Sequence, residues 1–250
     1  MLNVDKLRHD FPVLEENPKL AYLDNAASTL KPKCVIEAVD EYYTKLGVNV
    51  HRGVYKLSYL ATDAYEEARS KIADFIHADF EEIVFTRGAS AALNLVASSY
   101  GMLNLEPGDE VITTELEHHS NCMPWLHVCE QKHATLRYVP LDKEGRITVE
   151  AFKSVLTDKT KIVAITYVSN VMGYITPIEE IIKLAHQKGA IVVLDGAQAV
   201  PHMPVDVKKL DCDFLAFSGH KLCGPTGIGV LFGKAKLLAS MPPVEFGGDM

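Results

Sequence analysis

Two short stretches carry the residues with the most chemistry. Asp213 to Leu222 reads Asp-Phe-Leu-Ala-Phe-Ser-Gly-His-Lys-Leu. Its apolar run, Phe214 to Phe217, predicts a buried strand, and the Ser-Gly-His turn delivers Lys221 just past the strand end. A lysine held there loses hydration, which disfavours its ammonium form and frees the amine to form a Schiff base near neutral pH. Ala190 to Leu194 predicts a second buried strand, ending at once in Asp195-Gly196-Ala197-Gln198. A carboxylate at such a tip points into the crevice at the carboxyl ends of a parallel sheet. Asp195 and Lys221 are therefore expected in one crevice. Chemistry on pyridoxal phosphate needs this pair, a lysine for the aldehyde and an acid beside the pyridine nitrogen.

Four further polar stretches punctuate the chain. They are Leu23-Asp24-Asn25-Ala26-Ala27-Ser28, Asn49-Val50-His51-Arg52-Gly53, Glu117-His118-His119-Ser120-Asn121 and Val168-Ser169-Asn170-Val171-Met172-Gly173. Taken in order with the Asp195 and Lys221 stretches, the set resembles the pyridoxal-phosphate-dependent class V aminotransferase superfamily. Within it, the similarity is greatest to the group II cysteine desulfurases and selenocysteine lyases, and it runs from about Leu2 to Met250.

The resemblance implies roles for named residues. Lys221 and His118 are the expected catalytic groups: Lys221 holds the cofactor, and His118 stacks on its ring and handles protons, a task suited to histidine near neutral pH. Asp195 faces the ring nitrogen, Asn170 and Gln198 support the phenolic oxygen, and Ser218 and His220 serve the phosphate. Ala26, Ala27 and Asn170 lie on the substrate side. The expected reaction takes L-cysteine to L-alanine and passes sulfur as a persulfide to an acceptor protein for iron-sulfur cluster assembly. Selenocysteine lyase, transaminase or kynureninase-like chemistry, or a non-catalytic remnant, are the alternatives. A homodimer is implied as well. The nucleophilic cysteine and a carboxylate-gripping arginine belong, in the family, to a smaller C-terminal domain, and neither can be matched here. The chain is thus expected to comprise an N-terminal arm, 1–20, and a pyridoxal-phosphate-binding large domain, 21–250, truncated before the small domain and inactive or weak alone.

The spacing of elements gives the scaffold independently. Helical periodicity runs over Cys34 to Leu46, Leu57 to Ile76, Val149 to Leu156 and Pro177 to Lys188, the last closed by Gly189. Strands are expected over Glu82–Thr86, Glu110–Thr114, Leu136–Leu141, Lys161–Val168 and Ile228–Phe232, besides the two above. Alternation of this kind predicts an α/β fold, a mostly parallel sheet of about seven strands with helices on both faces; the resemblance makes it the large domain of fold type I. Arg87-Gly88-Ala89-Ser90 turns a strand into a helix over Ala91–Ser98, which suits an anion or, equally, a plain N-cap. The cofactor phosphate is assigned to this turn through Ser90. The family usually has two threonines at Ala89 and Ser90, so one hydroxyl is missing.

Composition narrows the classes. With 250 residues and 48% of them apolar, the chain can bury a large core, and a net charge of −8 offers no footprint for nucleic acid. No run of about eighteen apolar residues occurs and the first ten residues lack the apolar core of a signal peptide, so a cytoplasmic protein without a membrane partner is expected. The five cysteines are odd in number and lack a C-x-x-C pair, which argues against disulfides and a zinc site. Most of them are expected to be buried. His118, Cys122 and Cys129 share a helix face, but three ligands so spread cannot reach one tetrahedral ion, and no metal is expected.

Overall fold

The computed structural model describes residues 3–247. The first two residues of the expected arm and the last three of the expected large domain lie outside the described ones. Seven strands form one sheet: β1 (Ile83–Thr86), β2 (Glu110–Thr114), β3 (Thr135–Val139), β4 (Thr160–Thr166), β5 (Ile191–Asp195), β6 (Phe214–Ser218) and β7 (Gly229–Gly233). Their order across the sheet is β1-β7-β6-β5-β4-β2-β3. The five strands from β6 to β3 are parallel, and β7 runs antiparallel to both β6 and β1. The short turn after Lys221 permits only that reversal, since a parallel return needs a long crossover.

The inner strands are buried on both faces, the edge strand β3 is largely exposed, and alternate side chains enter two separate cores. Ile112, Val163, Ile165, Val192, Leu194, Leu215 and Phe217 join one; Val111, Ile162, Ala164, Val193, Phe214, Ala216 and Leu231 join the other. Helix Ile178–Gln187 covers the first face with Ile178, Ile181, Ile182 and Ala185, a spacing that puts all four on one stripe. Glu179 and Glu180 suit the positive start of that helix, and Gly189, at φ 74°, supplies the left-handed exit. The second face is covered by helices Ala89–Val96 and His119–Lys132, through Ala92, Leu93, Val96, Trp125, Val128 and Cys129. Each fully buried Leu, Ile or Phe contributes about 1.5–3 kcal/mol, so these two layers hold the fold.

Residues before β1 sit differently. Helix Lys33–Glu41 buries none of its residues, and the 21-residue helix Lys56–Ile76 buries only Ser58, Ala61, Ala73 and Ile76. The expectation that most cysteines are buried fails as well. Only Cys129 and Cys212 are buried; Cys34, on the uncovered helix, is exposed, and Cys122 and Cys223 are half-buried. Among the described residues, no helix is long and apolar enough to cross a membrane.

Candidate active site

A cavity of about 520 Å³ opens at the carboxyl ends of β4, β5 and β6. Burial drives its central pair. Asp195 ends β5 at 6% exposure, with Oδ1 accepting the Ala197 N–H at 2.9 Å. Loss of water raises its pKa, while that N–H and the nearby Lys221 and His118 pull it back. Lys221 closes the single turn after β6, half-buried, and the same loss of water lowers its pKa against the opposing pull of Asp195. Each member thus favours the charged form of the other in a place that penalises both.

One end of the cavity is formed by a helix start. Gly88 sits at φ 151° as the N-cap of helix Ala89–Val96, without a side-chain cap of its own. Ser218, from the end of β6, fills that gap by accepting the Ala89 N–H at 2.8 Å. The turn is glycine-built because β7 passes close: a Cβ on Gly229 would lie 2.4 Å from the Gly88 Cα. Ala89, Ser90, Ser218 and His220 all line this end. The helix starts two residues before the expected Ala91, so Ser90 lies inside its first turn, and its cap hydroxyl comes from 129 residues away.

His118 is the N-cap of helix His119–Lys132, and its Nδ1 accepts the Ser120 N–H at 3.1 Å. Just before it, the carboxyl of Glu117 reaches inward and accepts from Thr166 N–H at 2.8 Å, Asn121 Nδ2 at 2.7 Å and Thr114 Oγ1 at 2.8 Å. This one group ties the ends of β2 and β4 to the helix that carries His118. Desolvation pushes its pKa up to about 8, against the three donors and with added repulsion from Asp195.

The N-terminal stretch closes over the lysine turn. The His220 carbonyl accepts from Thr29 N–H and Thr29 Oγ1, each at 2.9 Å, from Lys31 Nζ at 3.1 Å and from Ser28 Oγ at 3.3 Å. Gln198 Nε2 donates to Ala26 O at 2.8 Å, so one of its two amide hydrogens fastens this stretch. His220 has its pKa lowered by desolvation and by the nearby Lys221 and Lys31.

All ten residues singled out from the sequence, Ala26, Ala27, Ser90, His118, Asn170, Asp195, Gln198, Ser218, His220 and Lys221, line this one cavity. None of the five cysteines does; Cys122 faces the Tyr138 hydroxyl at 3.4 Å, and Cys223 sits beyond Thr29, with its N–H on Thr29 Oγ1 at 2.8 Å. Sequence reasoning passed over Ser120 and Thr166, which line the cavity too, and over Glu117. Ser120 carried a signal, a hydroxyl at a helix start two residues after His118. Glu117 carried none, because a glutamate before a turn reads as surface.

The donor set fits pyridoxal phosphate: an amine, a buried acid and a hydroxyl-lined helix start surround one cavity of a size common for cofactors. The comparisons agree. Residues 21–250 match the family model for class V aminotransferases. A protein of Halalkalibacterium halodurans named as a probable cysteine desulfurase is 55% identical over all of this chain and 62% of its own length. One of Staphylococcus aureus, named likewise, is 50% identical over 99% of this chain and 61% of its own. Among solved structures, the cysteine desulfurase CsdA of Escherichia coli superposes with a TM-score of 0.91 at 42% identity, covering 100% of this chain and 62% of that one. An apo cysteine desulfurase of Thermococcus onnurineus gives 0.93 at 45%, covering 99% and 61%. The chain therefore spans about 62% of the length of such relatives, and it belongs to the class V aminotransferase family, whose members work with pyridoxal phosphate.

Proposed function

We propose that this chain carries the cofactor site of a cysteine desulfurase, taking L-cysteine to L-alanine and passing the sulfur as a persulfide to an acceptor protein in iron-sulfur cluster assembly. The observation that carries the reading is the pairing of Asp195 and Lys221 at the ends of adjacent strands β5 and β6, in one cavity with the anion end formed by Ala89, Ser90 and Ser218. When bound, the cofactor supplies an electron sink for the substrate's α-carbon. Lys221 would hold it, and its free amine would move the substrate's α-proton. The carboxylate of Asp195 keeps the ring nitrogen protonated. Ser90, Ser218 and His220 take the phosphate, and Asn170 and the second amide hydrogen of Gln198 serve the phenolic oxygen. His118 flanks the ring and relays protons, while Ala26, Ala27 and Asn170 meet the substrate. The names and identities of the relatives support cysteine as the substrate and a sulfur-acceptor protein as the partner. Exposed apolar side chains before β1 support a homodimer.

Pyridoxal phosphate added to the purified chain is expected to give a visible absorption band, with borohydride fixing the cofactor on Lys221 in the mass spectrum. Lys221→Ala removes both. A protein-bound band that survives Lys221→Ala without added amines refutes the assignment. Profiling a full-length relative with cysteine, selenocysteine and other amino acids then decides the substrate.

A further inference from the structure

Three polar atoms stand in line between the anion end of the cavity and His118. Ser90 Oγ lies 2.6 Å from Ser120 Oγ, which in turn lies 2.9 Å from His118 Nδ1. Ser90 is the second residue of helix Ala89–Val96 and Ser120 the second of helix His119–Lys132, so the line joins the starts of two helices 30 residues apart. Ser120 also gives its N–H to Nδ1. That nitrogen therefore bears the lone pair, and the proton of the neutral ring sits on Nε2.

The two hydroxyls have two hydrogens, and with Nδ1 as acceptor one arrangement fills both links: Ser90 donates to Ser120, and Ser120 donates to Nδ1. Ser90 then shows only lone pairs to the cavity, the wrong polarity for an anion. An anion at the turn needs the Ser90 hydrogen for itself. Ser120 must turn its own hydrogen to Ser90, and the link to Nδ1 loses its proton. It is restored when Nδ1 takes one proton from solvent and donates it to Ser120. The full line then runs from Nδ1–H through Ser120 and Ser90 to the anion, with every hydrogen directed toward the negative charge. The Ser120 backbone N–H, fixed at a helix start, cannot follow; the His118 ring swings off it and leaves it to water while Nδ1–H keeps the Ser120 hydroxyl.

We propose that Ser120 is a positioning residue that couples anion occupancy of the Ala89–Ser90 turn to protonation of His118 at Nδ1. The inference rests on reading that turn as the phosphate end of the site. Coupling of this kind is reciprocal: the anion draws a proton onto His118, and a protonated His118 tightens the anion. Asp195 from the end of β5 interacts with His118; Lys221 and His220 from the turn after β6 and Asp24 from the N-terminal stretch line the same cavity, and Glu117 and His119 flank His118 in the chain. Any effect of these groups acts through space and persists when the Ser120 hydroxyl is removed.

The test is nitrogen-15 NMR of the histidine rings in the full 250-residue chain, titrated with sulfate, which keeps its charge near neutrality, at constant ionic strength. Sulfate is expected to shift the Ser90 amide and to raise the Nδ1-protonated fraction of His118. One neutral hydrogen bond corresponds to about fivefold in such an equilibrium, so Ser120→Ala is expected to weaken the sulfate dependence about fivefold while Ser120→Thr restores it. An equal response of His118 in the wild type and in Ser120→Ala overturns the proposal and leaves the phosphate reading standing. A Ser90 amide that answers neither sulfate nor pyridoxal phosphate takes down both.

Discussion

The two ends of the chain treat their apolar residues in opposite ways. From β1 onward nearly every strand residue is covered, and Trp125, Phe152, Phe214 and Phe217 are fully enclosed. Among the described residues before β1 the buried apolar ones are Ala61, Ala73 and Ile76, while Leu23, Tyr43 and Val54 stand 92%, 76% and 89% exposed. The sheet region therefore completes its own core, and the N-terminal region presents apolar surface that this chain leaves open. The site lies where the two meet: its acid, its lysine and its Gly88–Ser90 turn come from the self-contained part, and its lid from Ala26 to Lys31 comes from the other.

The largest effect separates the two halves by stability. Trp125→Ala opens a cavity in a closed core and is expected to cost about 3–5 kcal/mol, whereas Tyr43→Ala is expected to stay within about 0.5 kcal/mol. Urea unfolding followed by circular dichroism measures both. Comparable losses for the two would erase the contrast.

Glu117 gives the next effect, because it stitches β2, β4 and the His118 helix inside the self-contained half. Glu117→Ala orphans the Thr166 N–H and is expected to cost about 2–4 kcal/mol. Glu117→Gln is milder: the new amide faces Asn121, whose Oδ1 has no hydrogen-bond partner and becomes the acceptor when that side chain flips. The pH dependence has a definite sign. With its pKa raised from 4.5 to about 8, folded Glu117 holds its proton more tightly than the unfolded chain does. Its contribution to stability is present below about 4.5 and is lost as pH rises through about 8. Glu117→Gln should flatten that slope in urea midpoints taken across the range. Parallel profiles for the two proteins would show that the carboxyl stays ionised throughout.

How much of this was legible depended on how far apart the cooperating residues lie. Strand β2 was read at its observed limits, Glu110–Thr114, because an apolar run between a Gly-Asp turn and a polar stretch is a local signal. The helix after β1 was placed two residues late because Ser90 looks like a cap, and the hydroxyl that does the capping belongs to Ser218. The positions of Lys221 and Asp195 were readable, since each ends an apolar run. The lid was not: four donors from Ser28, Thr29 and Lys31 gather on one carbonyl some 190 residues away, and backbone acceptors leave no trace in residue type.

That lid supplies a smaller test at the boundary. Thr29→Val removes the hydroxyl that donates to the His220 carbonyl and accepts from Cys223 N–H. The carbonyl keeps its other donors, so the expected stability loss is only about 1 kcal/mol. The Lys221 turn loosens all the same, and pyridoxal-phosphate affinity, read by absorbance titration, should fall more than stability does. Equal proportional losses would mean that the latch serves the fold alone.

The smallest effect on folding is expected on the open face itself. Val54 follows the His51-Arg52-Gly53 turn, which is held from inside: Ser58 Oγ accepts the Gly53 N–H at 3.0 Å and donates to Asn49 O at 3.0 Å, and a Cβ at Gly53 would meet Ser58 at 2.5 Å. The turn's shape therefore does not depend on the Val54 side chain, which points away into solvent. Val54→Asp should leave the urea midpoint within about 0.5 kcal/mol of the wild type. If the N-terminal face is a docking surface for a second copy, the same change buries a charge on association and should shift the sedimentation profile toward monomer, whereas Val54→Ile should not. A wild-type chain that sediments as monomer at all concentrations, with Val54→Asp identical to it, would mean that the exposed apolar residues of this region are not a self-association surface, and the homodimer assigned to this chain would fall with it.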